Sequence, residues 1–183
     1  MLSLSRQGIC AGKEAGMNKI LGRKKLELLI EQFLQREPVC VIATCFHDIP
    51  RASTVEFFPF ATNLYILTEG GEKIENIKGN PRVSIAVHAP FIGWESVRGL
   101  QITGIAEIGK KGSRIFDEGT EAYRKRRGVK TASLPDLMNV IRVLPLRIEY
   151  IDTTLDDKGF SVRQVLEYGK PSQGPSGQIK RQG

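Results

Sequence analysis

Val39 to Phe46 is a β-branched run that is apolar on both faces of an extended strand, with Val39 and Val41 on one side and Cys40 and Ile42 on the other. Such a strand needs cover on both sides, so it belongs to a sheet packed between layers or to one that coils into a barrel. The segment His47-Asp48-Ile49-Pro50 makes a turn, and a second strand starts near Arg51, which together read as a β-hairpin. Asn63 to Thr68, Arg82 to His88 and Gly99 to Ile108 read as a third, fourth and long fifth strand, Val143 to Asp152 as a sixth, and Phe160 to Tyr168 as a final strand or extended edge. In the fifth, Gly104 shares the apolar face of Leu100, Ile102, Ala106 and Ile108, which predicts a bulge or a close backbone approach.

Helices surround these strands. Leu26, Leu29, Ile30, Phe33 and Leu34 make one apolar stripe on a helix that Pro38 stops. Lys110 to Arg127 reads as a basic helix, and a second short helix is expected near Leu134 to Ile141. Six or seven mostly antiparallel strands with three or four helices favour a small β-barrel with helical decoration. The 183 residues fit one domain, read as residues 19–168, between a leader at 1–18 and a Gly/Ser/Pro/Gln-rich tail at 169–183.

The formal net charge of +7 is unevenly placed. Residues 1–25 and 109–130 carry +5 each and the tail +3, leaving −6 for the rest of the chain. The barrel itself is therefore acidic, and the basic runs do not by themselves indicate nucleic acid: Arg124-Lys125-Arg126-Arg127 lacks the aromatic interleaving of a single-strand binder and reads as a solvated helix end. Three cysteines, Cys10, Cys40 and Cys45, are too few and too odd in number for a secreted disulfide framework, which favours the cytoplasm; Cys40 and Cys45 read as buried small hydrophobes on opposite faces. No apolar run approaches a membrane span.

The chemistry concentrates in Thr68-Glu69-Gly70-Gly71-Glu72-Lys73 and the segment through Asn80-Pro81. A strand ends at Thr68, two glycines free the backbone, and a short helix carrying Ile74 and Ile77 begins close to Lys73. A hydroxyl, an ammonium and backbone N–H groups at a helix start can cradle a phosphate, although the glycine spacing is not that of a Walker loop. The competing reading makes Glu69, Glu72 and Glu75 dipole-favouring helix residues and Lys73 a solvated base. His47 and His88 lie in different elements and announce no metal site. Trp94, the one tryptophan, falls in the loop from Pro90 to Val97, either as core or packed on a cofactor ring or a partner.

In their order along residues 24–152, these pieces resemble the pyridoxamine 5′-phosphate oxidase-like family of flavin-binding split barrels. The resemblance rests on the first helix, Val39 to Thr44, the turn ending in Pro50, Ser53-Thr54-Val55-Glu56, Leu64 to Thr68, Gly71-Glu72-Lys73 with Asn80-Pro81-Arg82, and Gln101 to Glu107. It implies a six-stranded antiparallel split barrel that forms a homodimer, with flavin mononucleotide (FMN) at the subunit interface and a small-molecule substrate. It assigns cofactor contacts to Ser53, Thr54, Val55, Glu56, Leu67, Thr68, Lys73 and Arg98, and Gly71 and Trp94 join these as further candidate cofactor contacts. Three positions depart from the true oxidases: Ser53 and Glu72 replace arginines, and Gly99 replaces a glutamine. These changes argue against vitamin B6 phosphate oxidation itself; the ordered motifs together imply a redox reaction on another, unidentified small molecule. A non-enzymatic sensor or carrier of haem or a deazaflavin on the same barrel is the alternative, with neither nucleic acid nor membrane as partner.

Overall fold

The structure is a computed structural model that describes residues 19–169, so the expected leader and all of the expected tail except Gly169 lie outside the described residues. Helix α1 (Arg23–Arg36) buries Leu26, Ile30, Phe33 and Leu34 and ends where Glu37, ahead of Pro38, turns extended. Strands β1 (Val39–Phe46) and β2 (Ile49–Glu56) form the expected hairpin. After β3 (Phe58–Phe60) and β4 (Asn63–Thr68) comes α2 (Glu72–Gly79), followed by β5 (Arg82–His88) and β6 (Arg98–Gly109). Helix α3 (Arg114–Arg127), β7 (Asn139–Asp152) and β8 (Arg163–Glu167) complete the order.

The described strands form one antiparallel sheet in the order β2-β1-β5-β6-β7-β4-β3, with β8 also on β7. β7 serves three neighbours: β6 along almost its whole length, β4 at residues 139–143 and β8 at residues 147–151. The sheet curls so that β2 approaches β4 without pairing to it, which makes an antiparallel split barrel. Eight strands rather than six arise because the three-residue β3 and the edge strand β8 extend it.

Inside the curl, Ile42, Leu64, Ile66, Ile85, Ile102 and Ile148 are fully buried and pack with the α1 stripe. Each such side chain contributes about 1.5–3 kcal/mol by leaving water. A second apolar cluster lies outside the curl, where Phe116 and Ala122 of α3 cover Tyr65 and Val140. That cover explains why β4 is apolar on both faces. β1 is apolar on both faces for another reason: Cys40, Ile42 and Thr44 enter the core, while Val39, Val41 and Cys45 remain on an outer face that no other described residues cover fully. At Gly104 the register shifts against β7, and a Cβ there would lie 2.8 Å from the Leu144 carbonyl oxygen, the close approach its place in the strand predicts.

Three expectations change. No helix forms at Leu134–Ile141; β7 begins at Asn139, because pairing with β4 and β6 claims this segment. The basic end of α3 is not a solvated helix end throughout. The Arg126 guanidinium donates to the carbonyls of Glu37 (2.8 Å), Phe57 (3.2 Å) and Leu34 (3.4 Å), and Arg127 holds the Glu56 carboxylate at 2.8 and 2.9 Å. Cys45 is only partly buried, whereas burial pushes the Cys40 thiol up to about 12. In a C10S/C45S variant no thiol should react with a disulfide reagent at pH 8 until denaturant is added. Rapid labelling of the native variant would contradict the packing of β1.

Candidate functional site

The turn between β4 and α2 is knitted around one carbonyl. Gly70 O accepts from Thr68 Oγ1 at 3.2 Å and from Lys73 Nζ at 3.0 Å, while Gly70 N donates back to Thr68 Oγ1 at 3.4 Å. Asn139 Nδ2 holds the adjacent Glu69 carbonyl at 3.1 Å. Gly71 caps α2 with φ 95°, a left-handed conformation in which glycine is favoured, and its carbonyl accepts from Ile74 N at 2.9 Å. The neighbouring acids do not neutralise Lys73: Glu72 pairs with Arg51 at 2.7 Å and Glu75 with Lys78 at 2.7 Å. Among the described residues the half-buried Lys73 ammonium therefore has no carboxylate partner. Its hydrogen bond goes to the neutral Gly70 carbonyl instead.

The hairpin register places Ser53 opposite Ile42 and Val55 opposite Cys40, so both face the core side. Arg51 shares that side by the two-residue period, and its link to Glu72 ties β2 to the start of α2. Sequence reasoning passed over Arg51, although it stands two residues before Ser53 on the same face. Thr54 and Glu56 point outward, and the Glu56 carboxylate is spent on Arg127. β2 is also the sheet's edge, so one row of its backbone N–H and C=O groups is not used by the sheet. Leu67 leans toward the α3 cluster.

Trp94 and Arg98 belong to a different region. Thr68 pairs with Asn139, next to the Gly109 end of β6, whereas Arg98 begins that strand. One chain therefore holds Lys73 and Arg98 at opposite ends of its longest ladder. Trp94, 78% exposed in a single 3-10 turn, is not core; its ring lies 5.3 Å from that of the exposed Phe91, and Ile92 beside them is also exposed. Next to this loop, Val39, Val41, Thr54, Ala86, His88 and Pro90 line a depression of about 400 Å³ on the outer face. His88 also borders a second depression, of about 210 Å³, with Arg98, Gly99 and Gln101. Its Nδ1 lies 2.9 Å from the Ala89 carbonyl; with the proton on Nδ1 that contact is a hydrogen bond and Nε2 is left open. His47 sits in the β1–β2 turn with φ 51° against the Phe46 ring. No cluster of metal-ligating side chains occurs among the described residues, and no described helix is long and apolar enough to cross a membrane.

A family model described as pyridoxamine 5′-phosphate oxidase matches residues 26–152. A search of curated proteins finds no match. Solved structures with a similar fold include ChuZ from Campylobacter jejuni (16% identity, TM-score 0.62, covering 85% of this chain and 68% of that one). An FAD-binding protein from Mesorhizobium loti is 21% identical with TM-score 0.53, covering 66% and 90% of the two chains. HutZ, the haem storage protein from Vibrio cholerae, is 19% identical with TM-score 0.52, covering 66% and 89%. Such identities speak for the fold alone. With the family model spanning the sheet from α1 to the end of β7, the chain belongs to the pyridoxamine 5′-phosphate oxidase-like family of split barrels.

Proposed function

We propose that this protein is an FMN-dependent oxidoreductase of a small molecule, working in the cytoplasm as a homodimer with the cofactor at the subunit interface. The observation that carries the reading is the Lys73 ammonium, held on the Gly70 carbonyl beside the Thr68 hydroxyl with no carboxylate partner among the described residues. That donor set fits a phosphate monoester. Ser53 on the core side of β2 adds a hydroxyl, and the open edge of β2 along Ser53, Thr54, Val55 and Glu56 offers backbone groups to the polar edge of a flavin ring. Bound flavin supplies the redox chemistry, and the chain's own residues bind and orient it. Family membership and the flavin-binding neighbour support the cofactor class.

The separation of Lys73 from Trp94 and Arg98 supports a dimer. A second copy laid on the open outer face of β1 and β5 would bury Val39, Val41 and Ala86 and bring its own Trp94 and Arg98 to complete the site. Titration of the purified protein with FMN should give a saturable, quenched flavin with a resolved visible band, eluting at twice the monomer mass. Failure to bind any flavin overturns the reading.

A haem carrier is the second reading, favoured by the open Nε2 of His88 and by the haem storage neighbour. It requires a Soret band that changes in His88→Ala and not in His47→Ala.

A further inference from the structure

Along one face of α3, Arg114, Glu118, Glu121 and Lys125 recur at helical spacing. Phe60 and Asn63 of the β3–β4 hairpin, with Tyr65 and Arg142 behind them, form the opposite wall of a groove of about 290 Å³. The flavin site proposed above uses none of these residues.

The hydrogen bonds of the groove leave an uneven remainder. Glu118 accepts from Tyr65 Oη at 3.0 Å, Arg142 Nη1 at 2.7 Å and Arg114 Nε at 2.7 Å, and the Arg114 contact leads in holding its carboxyl below the usual range. Both Glu121 oxygens are taken by Arg124 at 2.6 Å. Arg142 spends its other nitrogens on Glu107 at 2.9 and 2.7 Å. Both carboxylates and one guanidinium are thus committed.

What remains is mostly donors. The terminal nitrogens of Arg114 have no partner among the described residues, and Lys125 Nζ makes only an i,i+4 ion pair with Glu121 at 3.6 Å, beyond hydrogen-bond length. That ammonium rests 4.7 Å from the centroid of the Phe60 ring, a residue left 50% exposed. Three cations against two carboxylates give the lining one net positive charge, which suits a monoanion better than a dianion. Phe60 supplies aromatic surface, with the buried Tyr65 behind it, in a volume at the small end for ligand cavities.

We propose that this groove is a second binding site, for a small aromatic carboxylate whose ring lies along Phe60 and whose carboxylate is taken by Lys125 and Asn63. Swinging from the ring face onto a carboxylate exchanges a 3.6 Å ion pair with Glu121, whose oxygens Arg124 already holds, for a direct charge-assisted hydrogen bond. A neutral or cationic isostere would leave the donors unanswered or repelled.

Benzoate, benzamide and benzylamine provide the test on the full chain, with and without FMN, by saturation-transfer NMR and calorimetry. Benzoate should bind and the other two should not. Lys125→Gln and Phe60→Ala should each weaken benzoate about tenfold, the loss of one charge-assisted or stacking contact. Lys24→Gln, an exposed cation on α1, and Lys73→Met should leave it unchanged. Persistence in Lys73→Met separates this site from the flavin cradle, so failure of either reading is legible without the other. Equal binding of benzamide, an unaltered affinity in Lys125→Gln, or no benzoate transfer would overturn the proposal.

Discussion

An Arg126→Met variant is expected to lose about 3 kcal/mol of stability, the cost of leaving buried acceptors without a donor. One guanidinium serves three carbonyls that belong to separate parts of the fold: Leu34 near the end of α1, Glu37 just beyond it, and Phe57 between β2 and β3. Each unsatisfied carbonyl costs about 1–3 kcal/mol, and the half-buried position admits some water, which holds the sum toward the lower end. Methionine keeps the stem that packs where the guanidinium lies 5.3 Å from the Phe57 ring centroid, so the substitution isolates the polar contacts from the packing. Urea unfolding should show a lower midpoint with an unchanged slope, and Lys24→Met should stay within about 0.5 kcal/mol of the parent. A loss no greater than that of Lys24→Met would mean that α3 is held by its apolar face alone.

The second large effect concerns the cofactor. Lys73→Met should weaken FMN binding roughly thirtyfold, which corresponds to about 2 kcal/mol for one charge-assisted contact to phosphate. Thr68→Val, which removes a neutral hydroxyl, should cost roughly fivefold. The apoprotein should melt at the parent temperature in Lys73→Met, because the ammonium's hydrogen bond is to the local Gly70 carbonyl and ties down no distant element. Fluorescence quenching of added FMN measures the affinities directly. Equal affinity of Lys73→Met and parent would move the phosphate away from the β4–α2 turn.

Strands with a clean two-residue period could be read from the chain alone: Asn63–Thr68 and Arg82–His88 are found with the bounds their patterns predict. So could the α1 stripe, whose stop is written in Pro38. β3 has no such signal, because three residues with a central Pro59 carry no period, and only pairing with β4 makes them a strand. Near the start of β7, Leu134, Leu137, Met138 and Ile141 fall at helical spacing; two neighbouring strands override it. At the candidate site, Thr68, Gly71 and Lys73 were legible as a local motif. The use of Arg126 and Arg127 was not, because their partners, Leu34, Glu37, Glu56 and Phe57, are brought to them only by the closed sheet.

The three neighbours of β7 also shape the order in which this chain can be finished on the ribosome. β1, β2 and β5 can pair among themselves early, yet Leu64 of β4 must wait for Val143, and the outer cover of Tyr65 must wait for Phe116. Until β7 emerges, β4 is an apolar strand on both sides with only the three-residue β3 to pair it. Such a segment is an invitation to wrong partners during synthesis. Closing a ladder across so long a stretch of chain is also slow compared with hairpin formation. The strand that joins the two halves of the barrel is thus also the one whose late arrival leaves β4 unpaired on its β7 side through most of synthesis.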